Sequence, residues 1–146
     1  FSSVLQSTVT YSAAAAPAVH AYLNSAWGIT AATTKVTLDA EVFDTGGAFA
    51  SSRFTPQVAG YYAVTGRVGS AVSAGQINPK IYKNGSVAIN GPNLTAGGLR
   101  GQQVSGLVAM NGSTDYLELY VYSDLTQNAE QGATETFMSA VWVRSL

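Results

Sequence analysis

Apolar residues in this chain recur at every second position, and no stretch repeats them at the three-to-four spacing of a helix. "YYAVTGRV" sets Tyr62, Val64 and Val68 against Tyr61, Thr65 and Arg67. "KVTLDAEV" sets Val36, Leu38, Ala40 and Val42 against Lys35, Thr37, Asp39 and Glu41, and "QVSGLVAM" places Val104, Val108 and Met110 on one side. A period of two sends successive side chains to opposite faces of a strand. Three Asn-Gly pairs, Asn84-Gly85, Asn90-Gly91 and Asn111-Gly112, fall at the ends of such runs. Both residue types tolerate positive φ, so each pair is a candidate tight turn. The clearest hairpins expected are "KIYKNGSVAI" and "VSGLVAMNGSTDYLELYV". Many short strands separated by turns predict an all-β sandwich or barrel.

Two strands are apolar on both sides. In "YLELYVY", Leu117, Leu119 and Val121 point one way while Tyr116, Glu118, Tyr120 and Tyr122 point the other. In "FMSAVWV", Phe137, Val141 and Val143 share one face, and Met138, Ala140 and Trp142 share the opposite one. Such a strand lies inside a sandwich or has one face at a subunit contact. The expectation is that both strands belong to one sheet and present Tyr116, Tyr120, Tyr122, Met138 and Trp142 to neighbouring subunits, because an aromatic patch of that size left in water invites aggregation. The alternative is a stripe packed beneath a loop of the same chain.

A length of 146 residues fits one domain. Apolar residues make up 47% and charged residues only 10% of the chain, against roughly a quarter charged in an ordinary soluble domain. The outer surface is therefore either covered by other chains or rich in neutral hydroxyls. The net charge of −1, without a Lys/Arg cluster, argues against nucleic acid and anionic membranes. The longest apolar run, Ala13 to Val19, is too short to insert in a bilayer. Without cysteine there is no disulfide or thiol chemistry. The chain opens at Phe1 rather than Met, so it reads as a piece of a longer protein. Residues 1–17, free of charge and rich in Ser, Thr and Ala, read as a stalk or shaft remnant packed against copies of itself, or as a disordered lead. Residues 18–146 form the folded domain.

The order "FDTGGAF…SRFTPQVAGYYAVTGRV…IYKNGS…VSGLVAMNGSTDYLELYVYS…TFMSAVWV" resembles the C1q/TNF-like jelly roll, particularly the versions ending phage tail fibres and related bacterial fibres. The resemblance covers residues 18 to 146, and its most specific element is "FTPQVAGYY", Phe54 to Tyr62. It implies a two-sheet, ten-stranded jelly roll assembling as a homotrimer, with the sheet holding the first, third, sixth and last strands turned inward. "YLELYVY" and "FMSAVWV" would be the sixth and last. It also implies that loops at Trp27, Asn84, Asn111 to Thr114 and Gln131 to Thr134 gather at the end remote from the stalk.

Signs of catalysis are weak. His20 is the only histidine, no G-x-S-x-G elbow is present, and a hydrogen-bonded structural role is expected for it. Within one chain neither metal nor cofactor is expected, and whether three His20 side chains about a threefold axis hold a metal ion is left open by the sequence. Asp39 and Glu41 alternate with Lys35 and Thr37 like a solvated face, and "GGLRGQ" lacks the phosphate-binding pattern. Binding has better candidates. Trp27 either stacks on a sugar ring or staples its loop to the sandwich. Asn111, Ser113 and Thr114 in "NGSTD", with Asn84 and Gln131, offer groups suited to sugar hydroxyls, or simply form turns.

The reading is therefore a non-enzymatic, trimeric receptor-binding tip of an extracellular fibre, on a virion or a cell surface, that meets a cell-surface glycan or protein. A trimerisation cap or decoration module with no ligand is the alternative.

Overall fold

The computed structural model describes residues 16–70, 75–93 and 101–146, and all regular secondary structure in them is β. In chain order the strands are β1 (Ala18–Tyr22), β2 (Gly28–Ile29), β3 (Thr33–Lys35), β4 (Ala40–Asp44), β5 (Phe49–Ala50), β6 (Arg53–Phe54), β7 (Gly60–Gly69), β8 (Ile77–Lys83), β9 (Ser86–Asn90), β10 (Gly101–Met110), β11 (Leu117–Ser123), β12 (Gln127–Asn128) and β13 (Phe137–Arg144). One sheet has the order β10-β7-β13-β1-β4, and the second has the order β5-β6-β11-β8-β9 with β3 also paired to β11. The short β2 and β12 pair with each other. The chain changes sheet between β3 and β4, β4 and β5, β6 and β7, β7 and β8, β9 and β10, and β10 and β11. Apart from the β5-β6 and β8-β9 hairpins, strands consecutive in sequence thus mostly lie in opposite layers, as in a jelly roll.

The two layers close over one hydrophobic core. From the first sheet, Val19, Tyr62, Val64, Val68, Val104, Met138 and Ala140 point inward. From the second, Phe54, Ile81, Leu117, Leu119 and Val121 meet them. The layers meet closely at Gly66, where a Cβ would lie 2.6 Å from Leu119 Cδ1 and 3.0 Å from Ile81 Cδ1. Tyr62 meets Phe54 edge-on at 5.8 Å and donates its hydroxyl to the Val58 carbonyl at 2.7 Å. Burial pushes this phenol up to about 12.

Alternation reads correctly within single strands, and the expected Asn84-Gly85 turn joins β8 to β9 with φ of 51° and 79°. Other expectations fail. Asn111-Gly112 does not make a hairpin, because β10 pairs with β7 while β11 pairs with β8. Nor does Asn90-Gly91, which ends β9 with the Gly91 amide donating to the Pro79 carbonyl. "KVTLDAEV" is two strands, since β3 lies on β11 and β4 on β1. Val36 and Leu38 are buried where the chain crosses between layers, but Val42 is exposed. Most consequentially, β11 and β13 belong to different sheets. Met138, expected at a subunit surface, is fully buried between the layers and cannot reach a neighbour.

Candidate functional site

The loops proposed to gather at one end divide between two. Val141 faces Ala18, Met110 faces Gly60, and the Asn84 amide donates to the Tyr116 carbonyl. Asn84, Asn111, Ser113 and Thr114 therefore lie at the end where β1 begins. Trp27 and Gln131 lie at the opposite end, where the Leu23 amide donates to the Thr136 carbonyl and the Gln131 side-chain amide donates to the Asn24 carbonyl.

At the first end the amide side chains are occupied within the chain. Asn111 Oδ1 accepts from the amides of Ser113, Thr114 and Asp115, and its Nδ2 donates to Thr114 Oγ1. Asn84 donates to Asp115 Oδ1 and accepts from the Tyr116 amide. Lys83 Nζ donates to Asp115 Oδ2 at 2.8 Å and to the Ala109 carbonyl at 2.7 Å. The Lys83 bond first, then that from Asn84, holds the Asp115 carboxyl below the usual range. These contacts bend the chain from β10 across to the other layer. At the far end Trp27 is half-buried against the core, which favours its stapling role over an open sugar platform.

His20 stands on the outer face of the β10-β7-β13-β1-β4 sheet. Its Nε2 lies 2.9 Å from the Ala133 carbonyl and its Nδ1 2.6 Å from Ser139 Oγ. A carbonyl can only accept, so Nε2 carries a proton, and in the neutral ring the Ser139 hydroxyl donates to Nδ1. The ring stacks on Phe137 at 4.9 Å. With its acceptor nitrogen engaged and a ring stacked on it, the imidazole has the contacts of a structural histidine.

Thr65, Arg67, Gln103 and Ser105 share that outer face toward its far end, and the part nearer the start of β1 is apolar and bare. Phe43 is 47%, Leu107 65%, Val141 47% and Val143 49% exposed, and a shallow concavity lies among Tyr61, Leu107, Val143 and Arg144. Trp142 turns the other way, packs on the core and donates its indole N–H to the Ala59 carbonyl at 3.1 Å. The alternation in "FMSAVWV" is right, but its outward face is that of Phe137, Val141 and Val143.

The tyrosines lie on the outside of the opposite sheet, partnered within the chain. Tyr120 stacks on Tyr82 at 3.9 Å, the Arg53 guanidinium sits 3.7 Å over Tyr116, and Lys80 Nζ lies 5.9 Å from the Tyr122 centroid. Among them Glu118 is buried, and its Oε1 accepts from Lys35 Nζ at 2.7 Å and Arg53 Nε at 3.0 Å. Burial pushes the Glu118 carboxyl up, but the Lys35 and Arg53 bonds outweigh it and leave the group below its ordinary value. Burial and then the Glu118 charge raise the Tyr120 phenol. Beside this cluster opens a concavity of about 550 Å³ lined by Lys35, Ser51, Arg53, Thr55 and Gln57 among others. No motif marks it; the one available sign is Glu118, a lone charge in an apolar run.

Among the described residues, no group of three or more His, Cys, Asp or Glu side chains is placed to hold a metal ion, and no helix is long and apolar enough to cross a membrane. No family model matches the chain, and no curated protein matches its sequence. Solved structures do resemble it. The globular domain of zebrafish complement 1qA protein is 10% identical, with 90% of this chain and 99% of that one covered at a TM-score of 0.67. PRD1 vertex protein P5 is 16% identical over 88% and 97% of the two chains, also at 0.67. Murine APRIL at pH 5.0 is 11% identical over 88% and 99%, at 0.66. At such identities the likeness is one of fold.

Proposed function

We propose that this chain, whose fold is that of the C1q/TNF-like jelly rolls, is a non-enzymatic homotrimeric module that ends an extracellular fibre and adheres to a cell-surface glycan or protein. The observation that carries the reading is the bare apolar face formed by Phe43, Leu107, Val141 and Val143. A row of large hydrophobic groups on the outside of a sheet needs a cover, and copies of the same chain around a threefold axis supply one. The expectation of a trimer thus stands, with its contact moved from the tyrosines to this face. Likeness to a virion vertex protein supports a place on the surface of a virus particle or a related fibre. Three sites per trimer would convert weak individual contacts into firm attachment.

The test is a glycan and cell-surface protein array screened with purified trimer. Retention on a defined glycan or protein supports the adhesive reading. A trimer that is retained by nothing favours the alternative of a structural cap.

A further inference from the structure

We infer that the concavity beside the tyrosine row is a binding site for a carboxylate-bearing saccharide, whose acid group pairs with Lys35 and Arg53 while its rings lie along the tyrosines. This deepens the proposed adhesion to glycans and rests on that reading.

The charge arrangement carries the argument. Two cations share one oxygen of one carboxylate, so one positive charge is left uncompensated. The negative partner is inside: the Glu118 side chain is 4% exposed, whereas those of Lys35 and Arg53 are 31% and 43% exposed and line the concavity. A buried anion thus holds two half-exposed cations in place, with their remaining donors free to meet an acid. Arg53 is fixed further by stacking on Tyr116, and a planar guanidinium matches a carboxylate. Lys80 adds a third cation on the same face, beside Tyr122.

The turn that presents Arg53 is strained in a way that serves the site. Ser51 and Ser52 both have left-handed φ, 52° and 58°, in the two-residue link between β5 and β6. Asn or Gly would fill these positions more easily. The serines are held by bonds of their own: Ser52 Oγ donates to the Leu38 carbonyl at 2.9 Å, and the Ser51 carbonyl accepts from Lys35 Nζ at 3.0 Å. Neutral groups at the rim, Ser51, Thr55 and Gln57, suit sugar hydroxyls. The stacked Tyr82–Tyr120 pair supplies an aromatic surface of the kind on which sugar rings rest.

The experiment is calorimetric titration of the protein with polygalacturonate and with neutral dextran, at low and at physiological salt. Binding to polygalacturonate that weakens with salt, and none to dextran, is expected. The double variant R53Q/E118Q removes the guanidinium contact while leaving the net charge on Lys35, and K35Q removes the uncompensated charge while leaving Glu118 paired with Arg53. Each should bind about tenfold more weakly while melting near the parent temperature. Unchanged affinity in both variants, or equal binding of dextran, overturns the inference. The light-scattering mass of the same sample separates the two claims. A trimer that ignores polygalacturonate refutes this site and leaves the assembly standing. A monomer that binds it refutes the assembly and supports the site.

Discussion

Met138 and Val141 lie three positions apart on β13 and face opposite ways, so a pair of substitutions separates core from interface. Met138 is fully buried between the layers, and Met138→Ala should cost about 2–5 kcal/mol through lost transfer energy and the cavity left behind. At about 3 °C per kcal/mol for a domain of this size, the melting temperature should fall by roughly 6–15 °C, with trimeric mass retained in the cold. Val141 is about half exposed in the single chain, so Val141→Asp should leave the fold within about 0.5 kcal/mol. In the assembly it loses about 1 kcal/mol of burial per copy and adds a desolvated carboxylate costing several kcal/mol more, repeated three times. The assay is light scattering combined with melting at several protein concentrations. The parent trimer should melt at a concentration-dependent temperature, and the Val141→Asp protein as a folded monomer whose melting does not depend on concentration. A Val141→Asp protein that remains trimeric, or a Met138→Ala protein that dissociates without melting earlier, would refute the assignment of faces on β13.

Acid should destabilise the domain. Asp39, Asp115, Glu118 and Glu135 are all held below their ordinary values of 3.8 for Asp and 4.5 for Glu. Depressed folded-state values mean that their contribution is fully present above the unfolded values and is lost as pH falls through the folded ones. Melting temperature should therefore be flat from neutrality to about pH 5 and decline below it; an unchanged melting temperature at pH 3 would contradict the bonding described at these carboxylates. Gly66→Val should cost about 1–3 kcal/mol, read by urea unfolding, because its side chain would press into Leu119 and Ile81. A neutral outcome would mean that the layers are not in contact there.

Alternation made the inward residues of β7, β10 and β11 legible in the sequence, because a period of two fixes faces without reference to the rest of the fold. It does not say which sheet a strand joins. Asn111-Gly112 looks like a hairpin, yet the Asn111 side chain caps three successive amides and turns the chain into the other layer. In "FMSAVWV" both faces are apolar, so the pattern does not tell inside from outside, and Met138 and Trp142, expected outward, face the core. The resemblance supplied the jelly roll correctly and misassigned "YLELYVY" to the sheet of the last strand. The acidic centre of the candidate site was visible only as one odd residue. Its partners, Lys35 and Arg53, are 83 and 65 positions from Glu118, and only the folded sheet brings the three together.

The most direct measurement is the solution mass of the unaltered domain by light scattering across a dilution series. The 15.1 kDa chain should appear at three times its own mass and hold that value on dilution. A single-chain mass throughout would contradict the account, leaving Phe43, Leu107, Val141 and Val143 uncovered.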